Sequence, residues 1–294
     1  MNILVTGANG LLGRTLCYLL AEDHKIFALI RDHEQFLLNL NHKNISPVIG
    51  DLSHFETIEL PEEIDAVYYL AQSRKFRSIP EGNLDVFAIN TQGPLCLAHW
   101  AMKNEITHYF YASSGGIYPP SGEPITEDTP IHLQKSRGFY LDSKLGAELL
   151  LENYSSYFKT FSIIRPFFIY GIGQEQNMLI PRLINSVKTG SDITLSHDDG
   201  IRINPINVQD AAKACAQLLK IRGRYTFNIA GNEIITIGQI VRIIGLLVQK
   251  EPRFILTPTK QPDLIGDITQ MKKLLYGPNI SLYEGLKEMI GVEN

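Results

Sequence analysis

Short apolar runs alternate with stretches of helical spacing over the first 170 residues. Residues 2–6 form an apolar run that ends at glycines, Leu11–Ala21 continues with apolar residues at helical intervals, and Lys25–Ile30 is a second apolar run. This spacing predicts a strand, a helix and a second strand. Further strands are predicted at Ile45–Ile49 and at residues 66–70, 109–112 and 161–168, and further helices at residues 84–102 and 141–154.

Near-continuous apolar strands that alternate with helices predict an α/β fold with a parallel sheet covered on both faces. After Gly171 the pattern changes to mixed loops and short helices, and only residues 225–230 have the character of another buried strand. We therefore expect a larger domain over residues 1–171, to which the chain returns around residues 203–230. Residues 172–294 are expected to form mainly a smaller C-terminal lobe.

Composition and charge narrow the class of protein. The 294 residues are 44% hydrophobic and 20% charged, as in a globular protein, and the formal charge of −4 provides no basic surface for nucleic acid. The three cysteines, Cys17, Cys96 and Cys215, are far apart and form no CxxC pair. We therefore expect neither a disulfide framework nor a metal site, and a reducing, cytoplasmic location.

The sequence gives no indication of export or of membrane insertion. Met1 leads into an apolar strand that reaches Gly7 within six residues, which leaves no room for a secretion signal. The longest apolar stretch, residues 234–248, is interrupted by polar residues and is shorter than the 18 or more residues that a membrane span needs. We expect no membrane partner.

Residues 6–13 contain three glycines in the spacing GxxGxxG, directly after a predicted strand and directly before a predicted helix. A tight turn, close approach of a pyrophosphate and helix–strand packing each need a residue without a Cβ, and a helix N-terminus offers N–H groups to phosphate. Unless it is a plain glycine-rich turn, the segment predicts dinucleotide binding by a Rossmann-type, doubly wound sheet. The predicted cofactor-binding residues here are Gly7, Asn9, Gly10, Leu11, Leu12 and Gly13.

The residues after the second predicted strand bear on the choice between NAD and NADP. An NAD-specific site places an acid at the end of this strand for the ribose hydroxyls, and Ile30 holds that place here. Arg31 follows, and a guanidinium suits a 2′-phosphate. We therefore predict NADP, with NAD as the alternative if Arg31 only solvates a loop or if Asp32 replaces the acid. Asp51 is predicted to meet the adenine, with Leu52 as a further cofactor contact, unless Gly50-Asp51 is a plain turn.

The chain contains several further motifs. They are Leu70-Ala71-Gln72, Asn90-Thr91-Gln92-Gly93, Ser113-Ser114-Gly115-Gly116-Ile117-Tyr118, Tyr140-Leu141-Asp142-Ser143-Lys144, and segments at residues 165–171, 204–210 and 267–286. Together with the glycine motif, they resemble the extended short-chain dehydrogenase/reductase family, also called NAD-dependent epimerase/dehydratases. The resemblance spans nearly the whole chain and implies that family's fold, with the C-terminal lobe binding substrate.

Tyr140 and Lys144 have a spacing suited to acid–base chemistry. Four residues apart on a helix, they share one face, where an ammonium can stabilise a phenolate and hold ribose hydroxyls. Free tyrosine titrates near pH ~10, so it needs such a cation to exchange protons at neutral pH. The alternative, a half-buried aromatic beside a surface lysine, is disfavoured because the pair follows a strand that ends in Ser113-Ser114.

The resemblance assigns roles to these residues. Ser114 becomes the hydroxyl that orients the substrate oxygen, Tyr140 the proton donor, and Asn90 part of the catalytic surround, although Asn90 could instead satisfy backbone groups that Pro94 leaves unpaired. The residues that the resemblance implies as further cofactor contacts are Leu70, Ala71, Gln72, Asn90, Tyr140, Lys144 and Phe168, the last through its backbone.

Gly115 and Gly116 depart from the pattern of several branches of the family and so limit the possible reactions. At these two positions the family's dehydratases have Asp-Glu, and other branches have a cysteine or a glutamate at the second position. Glycine has no side chain for elimination, proton exchange or decarboxylation. The remaining chemistry is keto reduction, alcohol oxidation or 4-epimerisation.

The resemblance implies a nucleotide-diphosphate sugar as substrate, contacted by Ser114, Gly115 and Gly116. Asn177 matches a family position that contacts the diphosphate. Arg202 lies near the position of the family's phosphate-binding arginine, and Arg182 is the substitute if it faces the cleft.

We expect NADP-dependent reduction of a 4-keto sugar, with 4-epimerisation as the alternative. Reduction of a small non-sugar ketone is a second alternative, and a non-enzymatic dinucleotide sensor is disfavoured by the intact catalytic residues. A homodimer through the helices at residues 84–102 and 141–154 is also expected.

Overall fold

The computed structural model describes residues 1–31, 33–34, 36, 40–132, 135–259 and 261–291. Its strands are β1 (Asn2–Thr6), β2 (Lys25–Ile30), β3 (Ile45–Ile49), β4 (Ala66–Tyr69), β5 (His108–Ala112), β6 (Thr160–Pro166), β7 (Ile169–Tyr170), β8 (Ile193–Ser196), β9 (Arg202–Ile203), β10 (Ile206–Asn207), β11 (Gly223–Ile229), β12 (Ile235–Thr236) and β13 (Phe254–Thr257).

The α-helices among the described residues are α1 (Leu11–Ala21), α2 (Asn83–Phe87), α3 (Gly93–Lys103), α4 (Phe139–Leu151), α5 (Leu179–Thr189), α6 (Val208–Gln217), α7 (Ile237–Val248), α8 (Thr269–Leu274) and α9 (Leu282–Ile290). Short 3₁₀ turns occupy Leu52–Thr57, Gly115–Ile117, Glu152–Tyr157 and Leu218–Lys220, and a π-helical turn occupies Ala88–Gln92. The chain divides into two compact units. The first comprises Met1–Ile117, Ile131–Pro166 and Ala212–Phe227, and the second comprises Tyr118–Pro130, Phe167–Ala211 and the chain from Asn228 onward.

The first unit is built on a seven-stranded sheet in the order β11-β6-β5-β4-β1-β2-β3. All pairings from β3 through β6 are parallel. The chain runs outward from β1 to β3 on one side and from β4 to β6 on the other. The strand order therefore reverses beside β1, and this switch point is where open α/β sheets bind ligands. The predicted doubly wound parallel sheet is confirmed.

Helices cover both faces of this sheet. Successive residues of β4 point to opposite sides, so the Tyr69 hydroxyl donates to the carbonyl of Ile89 on one face (2.6 Å) and the Tyr68 hydroxyl donates to the carbonyl of Cys215 in α6 on the other (2.9 Å). Every residue of β4 and β5 is buried. Because both faces are covered, these strands are continuous apolar runs, and that is why the sequence reveals them.

The second unit contains strands that the sequence analysis did not find. Three two-stranded sheets pair β7 with β10, β9 with β12, and β8 with β13. The prediction that residues 225–230 hold the only strand after Gly171 is therefore wrong, although that strand itself is confirmed as β11. The missed strands are two to four residues long, too short to give a periodic apolar signal. The core of this unit lies between α5, α7 and α9.

Candidate active site

The turn between β1 and α1 depends on glycines at close backbone contacts. Gly7 has a φ of +66°, in the left-handed region, and a Cβ there would lie 2.8 Å from the Ala71 backbone nitrogen. A Cβ on Gly13 would overlap the carbonyl oxygen of Gly7, so α1 packs directly on the turn. The N-cap residue, Gly10, has no side chain, and the first turn of α1 carries no acidic residue. The positive end of α1 is thus open to an anionic group such as a pyrophosphate.

The other residues predicted in this turn lie around the same helix start. Asn9, Leu11 and Leu12 are half-buried, and Gly10 is exposed. The turn is also tied to the neighbouring strand, because the Thr6 hydroxyl oxygen accepts hydrogen bonds from the N–H groups of Leu70 and Ala71, each at 3.2 Å. The ends of β1 and β4 are therefore held together at the switch point.

Arg31 and Asp51 follow the paired ends of β2 and β3. Ile30 is buried and pairs with Ile49, and the N–H of Gly50 donates to the Ile30 carbonyl at 2.9 Å. Arg31 is exposed. Asp32, the alternative acid, lies outside the described residues. The strand thus ends in an apolar side chain followed by an exposed guanidinium.

Asp51 has partners of its own on this edge of the sheet. Its carboxylate accepts hydrogen bonds from the backbone N–H (2.9 Å) and the hydroxyl (2.8 Å) of Ser53, and so caps the 3₁₀ turn that begins with the buried Leu52. Burial works against the charge of Asp51, but the Ser53 hydrogen bonds and the nearby positive charges of Arg31 and His54 outweigh it and lower the pKa of this carboxyl. Asp51 is therefore an anion that attracts the positive charge of Arg31.

The π-helical turn places Asn90 at the centre of the site. Gly93 donates to the Ala88 carbonyl, five residues back, and Pro94 has no N–H to give to Asn90. Two tyrosines of the sheet satisfy the carbonyls left over, with Tyr69 donating to Ile89 (2.6 Å) and Tyr111 donating to Asn90 (3.0 Å). A Cβ on Gly93 would overlap the Tyr69 hydroxyl, so this glycine permits the contact.

Because two tyrosines donate to the unpaired backbone carbonyls, the Asn90 side chain can make other hydrogen bonds. Its Oδ1 accepts from the N–H of Ser73 (3.1 Å) and its Nδ2 donates to the Ser143 hydroxyl (3.1 Å), which in turn donates to the Tyr140 carbonyl at 2.7 Å. Asn90 is fully buried. It therefore bridges the segment after β4 to the first turn of α4, where Tyr140 stands.

Ser114 lies two residues beyond the end of β5 and is followed by a 3₁₀ turn that contains both glycines. The N–H of Gly116 donates to the Ser114 hydroxyl oxygen at 3.2 Å. A Cβ on Gly116 would lie 3.0 Å from the Leu141 side chain and 3.4 Å from the Ser114 hydroxyl. Gly115 is buried. No carboxylate or thiol therefore stands beside Ser114 at these positions.

The Tyr140 hydroxyl is engaged on both sides. It donates to the side-chain carbonyl of Gln72 at 2.9 Å, and Ser114 is hydrogen-bonded to it. Burial raises the pKa of Tyr140 to about 12, with the Ser114 hydrogen bond acting in the opposite direction. Tyr140 is thus a phenol that holds its proton at neutral pH, as a proton donor must.

Lys144 stands one helical turn beyond Tyr140 and is almost completely buried. Its ammonium donates to the carbonyl of Ala112 at 2.9 Å and lies 5.2 Å above the centre of the Tyr111 ring. Burial lowers the pKa of Lys144 to about 7, and the charge of Glu148 opposes this shift. The predicted residues Gln72, Asn90, Ser114, Tyr140 and Lys144 therefore share one site in the first unit.

Three further residues at this site were not predicted from the sequence. The Phe76 ring packs against the Tyr140 ring, with centroids 5.2 Å apart. Glu148 and Arg165 form a buried ion pair next to Lys144. The spacing of Glu148, four residues after Lys144 on the same helix, was a signal that could have identified it.

The remaining predicted residues belong to the second unit. Phe168 has a φ of +47°, unusual for a non-glycine residue, and its carbonyl accepts from the N–H of Ile206 at 3.3 Å. Asn177 and Arg182 are exposed, Arg182 on α5. Arg202 is paired with Asp263 (2.8 Å) and also donates to the carbonyl of Gly122 (2.9 Å). Its guanidinium is therefore already engaged within the chain.

The described residues contain no cluster of three or more metal-ligating side chains. Cys17 and Cys215 are buried thiols and Cys96 is half-buried.

Over the described part of the chain, no helix combines the length and apolar character needed to cross a bilayer.

Comparison with known proteins finds similar sequences and structures that cover nearly the whole chain. An uncharacterised UDP-glucose epimerase, YtcB, of Bacillus subtilis is 26% identical over 310 residues, covering 99% of this chain and 97% of that protein. A GDP-6-deoxy-D-talose 4-dehydrogenase of Aggregatibacter actinomycetemcomitans is 24% identical over 290 residues, covering 94% and 91%. Among solved structures, the UDP-glucuronic acid 4-epimerase of Bacillus cereus, in complex with UDP-glucuronic acid and NAD, has a TM-score of 0.83 at 22% identity, covering 99% and 98%.

A family model matches the chain over residues 3–230, which include the glycine motif, Ser114, Tyr140 and Lys144. The match confirms the resemblance drawn from the motifs, and the similar structure confirms the Rossmann-type fold. The chain belongs to the NAD dependent epimerase/dehydratase family.

Proposed function

We propose that this protein is an NADP(H)-dependent oxidoreductase that reduces the 4-keto group of a nucleotide-diphosphate sugar. The observation that carries the proposal is the composition of the site around Tyr140. Ser114 and Lys144 accompany this proton donor, while Gly115 and Gly116 provide no second acid or base. Such a site supports proton transfer coupled to hydride transfer, and no elimination.

Each side chain of the site has a separate role in the proposed reduction. The nicotinamide cofactor, when bound, supplies the hydride. Ser114 orients the substrate carbonyl oxygen by a hydrogen bond, and Tyr140 delivers its proton to that oxygen, which yields the alcohol and a phenolate. Lys144, held at the Ala112 carbonyl, stabilises the phenolate until solvent returns the proton.

The residues present fit a dinucleotide. The tight packing at Gly7 and Gly13, and an N-cap glycine with no side-chain cap at the start of α1, suit the close approach of a pyrophosphate. For the choice of NADP, the support is the absence of an acid at Ile30 and the exposed guanidinium of Arg31. The nearby Asp51 carboxylate opposes a second anion at this place, so we propose a moderate preference of about tenfold.

The second unit supplies the proposed ligands of the substrate diphosphate. Arg182 is favoured over Arg202, because the Arg202 guanidinium is held by Asp263 and Gly122, whereas that of Arg182 makes no hydrogen bond or ion pair with the described residues. Asn177, two residues before α5 begins, is proposed to add an amide donor.

The second candidate function is 4-epimerisation, in which oxidation and re-reduction use the same residues. Similarity to proteins named as epimerases favours it, and one of them binds NAD. Similarity to a 4-dehydrogenase favours net oxidation or reduction at the sugar's 4-position. The two candidates differ in whether the cofactor is consumed.

We also propose a homodimer. The helices predicted to pair expose large apolar side chains, with Leu84 84% exposed and Phe87 48% exposed on α2, and Leu149 54% exposed and Leu150 47% exposed on α4. Apolar residues grouped on neighbouring helices are typical of protein–protein contacts.

A ligand screen followed by product analysis tests the function. Nucleotide-diphosphate sugars and their 4-keto derivatives are screened for thermal stabilisation with NADP⁺ present, since a ligand at ~100 times its Kd stabilises by about 2.7 kcal/mol. The stabilising compound is then incubated with NADPH or NADH. One equivalent of cofactor oxidised per alcohol formed supports the reductase. Inversion at the 4-position without net cofactor consumption selects the epimerase, and failure of every nucleotide sugar to bind or react rejects both.

A further inference from the structure

A buried ion pair lies directly behind the catalytic helix. Arg165, on β6, donates from Nε to Glu148 Oε1 (3.1 Å) and from Nη2 to Glu148 Oε2 (2.6 Å). The two side chains are only 9% and 5% exposed. Removing two charges from water is unfavourable before their attraction is counted, and an apolar pair would connect α4 to β6 as well. The choice of charged residues here calls for a reason beyond stability.

Lys144 provides that reason. Lys144 and Glu148 are four residues apart on α4, so they occupy the same face of the helix. The other groups around the ammonium, the Ala112 carbonyl and the Tyr111 ring, carry no net charge, and Tyr140 is a neutral phenol. Glu148 therefore brings a full negative charge to a buried cation that has lost its hydration.

We propose that the Glu148–Arg165 pair is a positioning device of the active site, in which Arg165 fixes the Glu148 carboxylate and Glu148 keeps Lys144 in its ammonium form beside Tyr140. Neither residue is a proposed ligand of the substrate or the cofactor. The inference rests on the proposed function only for its effect on turnover, because the charge on Lys144 can be measured without a substrate.

The expected direction follows from the charges that face Lys144. Burial lowers the pKa of Lys144, and the Glu148 carboxylate raises it. On β6, Arg165 is bound to Glu148. The neighbouring Tyr111 and Tyr140 are uncharged at neutral pH because burial raises the pKa of each phenol. Removing the carboxylate should therefore leave Lys144 neutral at pH values where it is normally charged.

A double variant separates this role from a structural one. Glu148→Leu/Arg165→Met replaces the pair by apolar side chains of similar volume, a change that often preserves stability. The pKa of Lys144 is measured by NMR of the protein with ¹³C-labelled lysine, assigned through Lys144→Met. We expect a downward shift of about one unit or more in the double variant. The matched control is Glu152→Leu/Arg224→Met, which removes an exposed pair (4.0 Å) just beyond α4 and should cause no shift.

Glu148→Gln provides a second test, since it removes the charge and keeps the shape. The same downward shift is expected, and with a substrate the alkaline limb of the pH–turnover profile should move to lower pH by a similar amount. An unchanged pKa of Lys144 in a folded variant overturns the proposal, and so does loss of folding in both variants, which would indicate a purely structural pair. If the pKa shifts but no nucleotide sugar reacts, the proposed function fails while this inference holds.

Discussion

The proposed reaction depends on the proton of Tyr140. Burial raises the pKa of Tyr140 to about 12, and the hydroxyl lies between Gln72 and Ser114. A phenol held in this way has its proton in place before a carbonyl arrives. Lys144, with a pKa near 7, is the group whose charge changes in the physiological range. In the proposed reaction, Tyr140 therefore gives its proton first and Lys144 stabilises the resulting phenolate second.

Tyr140→Phe is expected to keep the fold and cofactor affinity but to lower kcat by about 10²–10⁴-fold, because the ring packing against Phe76 remains while the transferable proton is lost. The measurement is kcat together with cofactor titration. Tyr157→Phe makes the same chemical change at an exposed position and should leave kcat unaltered. Retention of more than a tenth of the activity by Tyr140→Phe would remove this residue from the mechanism.

Arg31→Ala is expected to remove most of a roughly tenfold preference for NADPH over NADH. Ile30 offers no acceptor to the ribose hydroxyls of NADH, and a hydrogen bond from Arg31 to a 2′-phosphate contributes about 1.5–3 kcal/mol, part of which Asp51 offsets. Fluorescence titration of both reduced cofactors measures the preference. Equal affinity in the wild-type protein would contradict the NADP assignment and favour the epimerase.

His108 is expected to make the fold sensitive to acid. Burial, with the positive charges of Arg222 and Lys159, lowers the pKa of His108 from 6.5 to about 4. Between these values the unfolded chain binds a proton that the folded chain does not, so stability falls as the pH drops from 6.5 toward 4, by up to about 3 kcal/mol. Urea unfolding at pH 7 and pH 5 should show a smaller loss for His108→Gln than for the wild type. Equal losses would show that His108 does not contribute.

At the scale of elements, the site depends on a helix that departs from regular geometry. The sequence predicts one helix over residues 84–102, whereas the structure inserts the π-helical turn Ala88–Gln92 between α2 and α3. Tyrosines of β4 and β5 donate to the carbonyls that this turn and Pro94 leave unpaired. Sheet and helix are thereby joined by hydrogen bonds, and Asn90 is freed to connect Ser73 to Ser143.

Gly13→Ala is expected to destabilise the protein and weaken cofactor binding, because its methyl group would overlap the Gly7 carbonyl and push α1 away from β1. Overpacking of this kind typically costs about 1–3 kcal/mol. Urea unfolding and cofactor titration measure both effects. Gly146→Ala is the matched control, since its Cβ meets nothing within 4 Å on α4, and it should stabilise by about 0.5–1 kcal/mol. Wild-type affinity in Gly13→Ala would argue against the assigned role of the turn.

At the scale of the whole molecule, the exposed apolar residues of α2 and α4 lead to a test of assembly. Leu149→Glu/Leu150→Glu is expected to convert a dimer into a monomer, because both positions are exposed on α4 and a buried, unpaired charge is unfavourable. Light scattering at micromolar concentration reports the mass. Leu246→Glu, at a 77% exposed position on α7, should leave the mass unchanged. A wild-type monomer would reject the proposed dimer.

The parallel sheet and the position of its glycine-rich turn can be predicted from the sequence alone. Buried strands such as β2 and β5 are continuous apolar runs, and the glycines at Gly7 and Gly13 are required by close backbone contacts that a local motif can encode. The spacing of Tyr140 and Lys144 fixed their common helical face for the same reason, since a helix repeats every 3.6 residues.

The surroundings of those residues, in contrast, depend on contacts between distant parts of the chain. Residues 118–130, counted in the sequence with the larger domain, fold with the second unit because Ile125 pairs with Gly266, 141 positions away. Arg202 bonds to Asp263, 61 positions away, and Tyr140 bonds to Gln72, 68 positions away. Arg165 forms its ion pair with Glu148, 17 positions away. No local pattern records such partners, because hydrogen bonds and charges act between atoms that only the folded chain brings together.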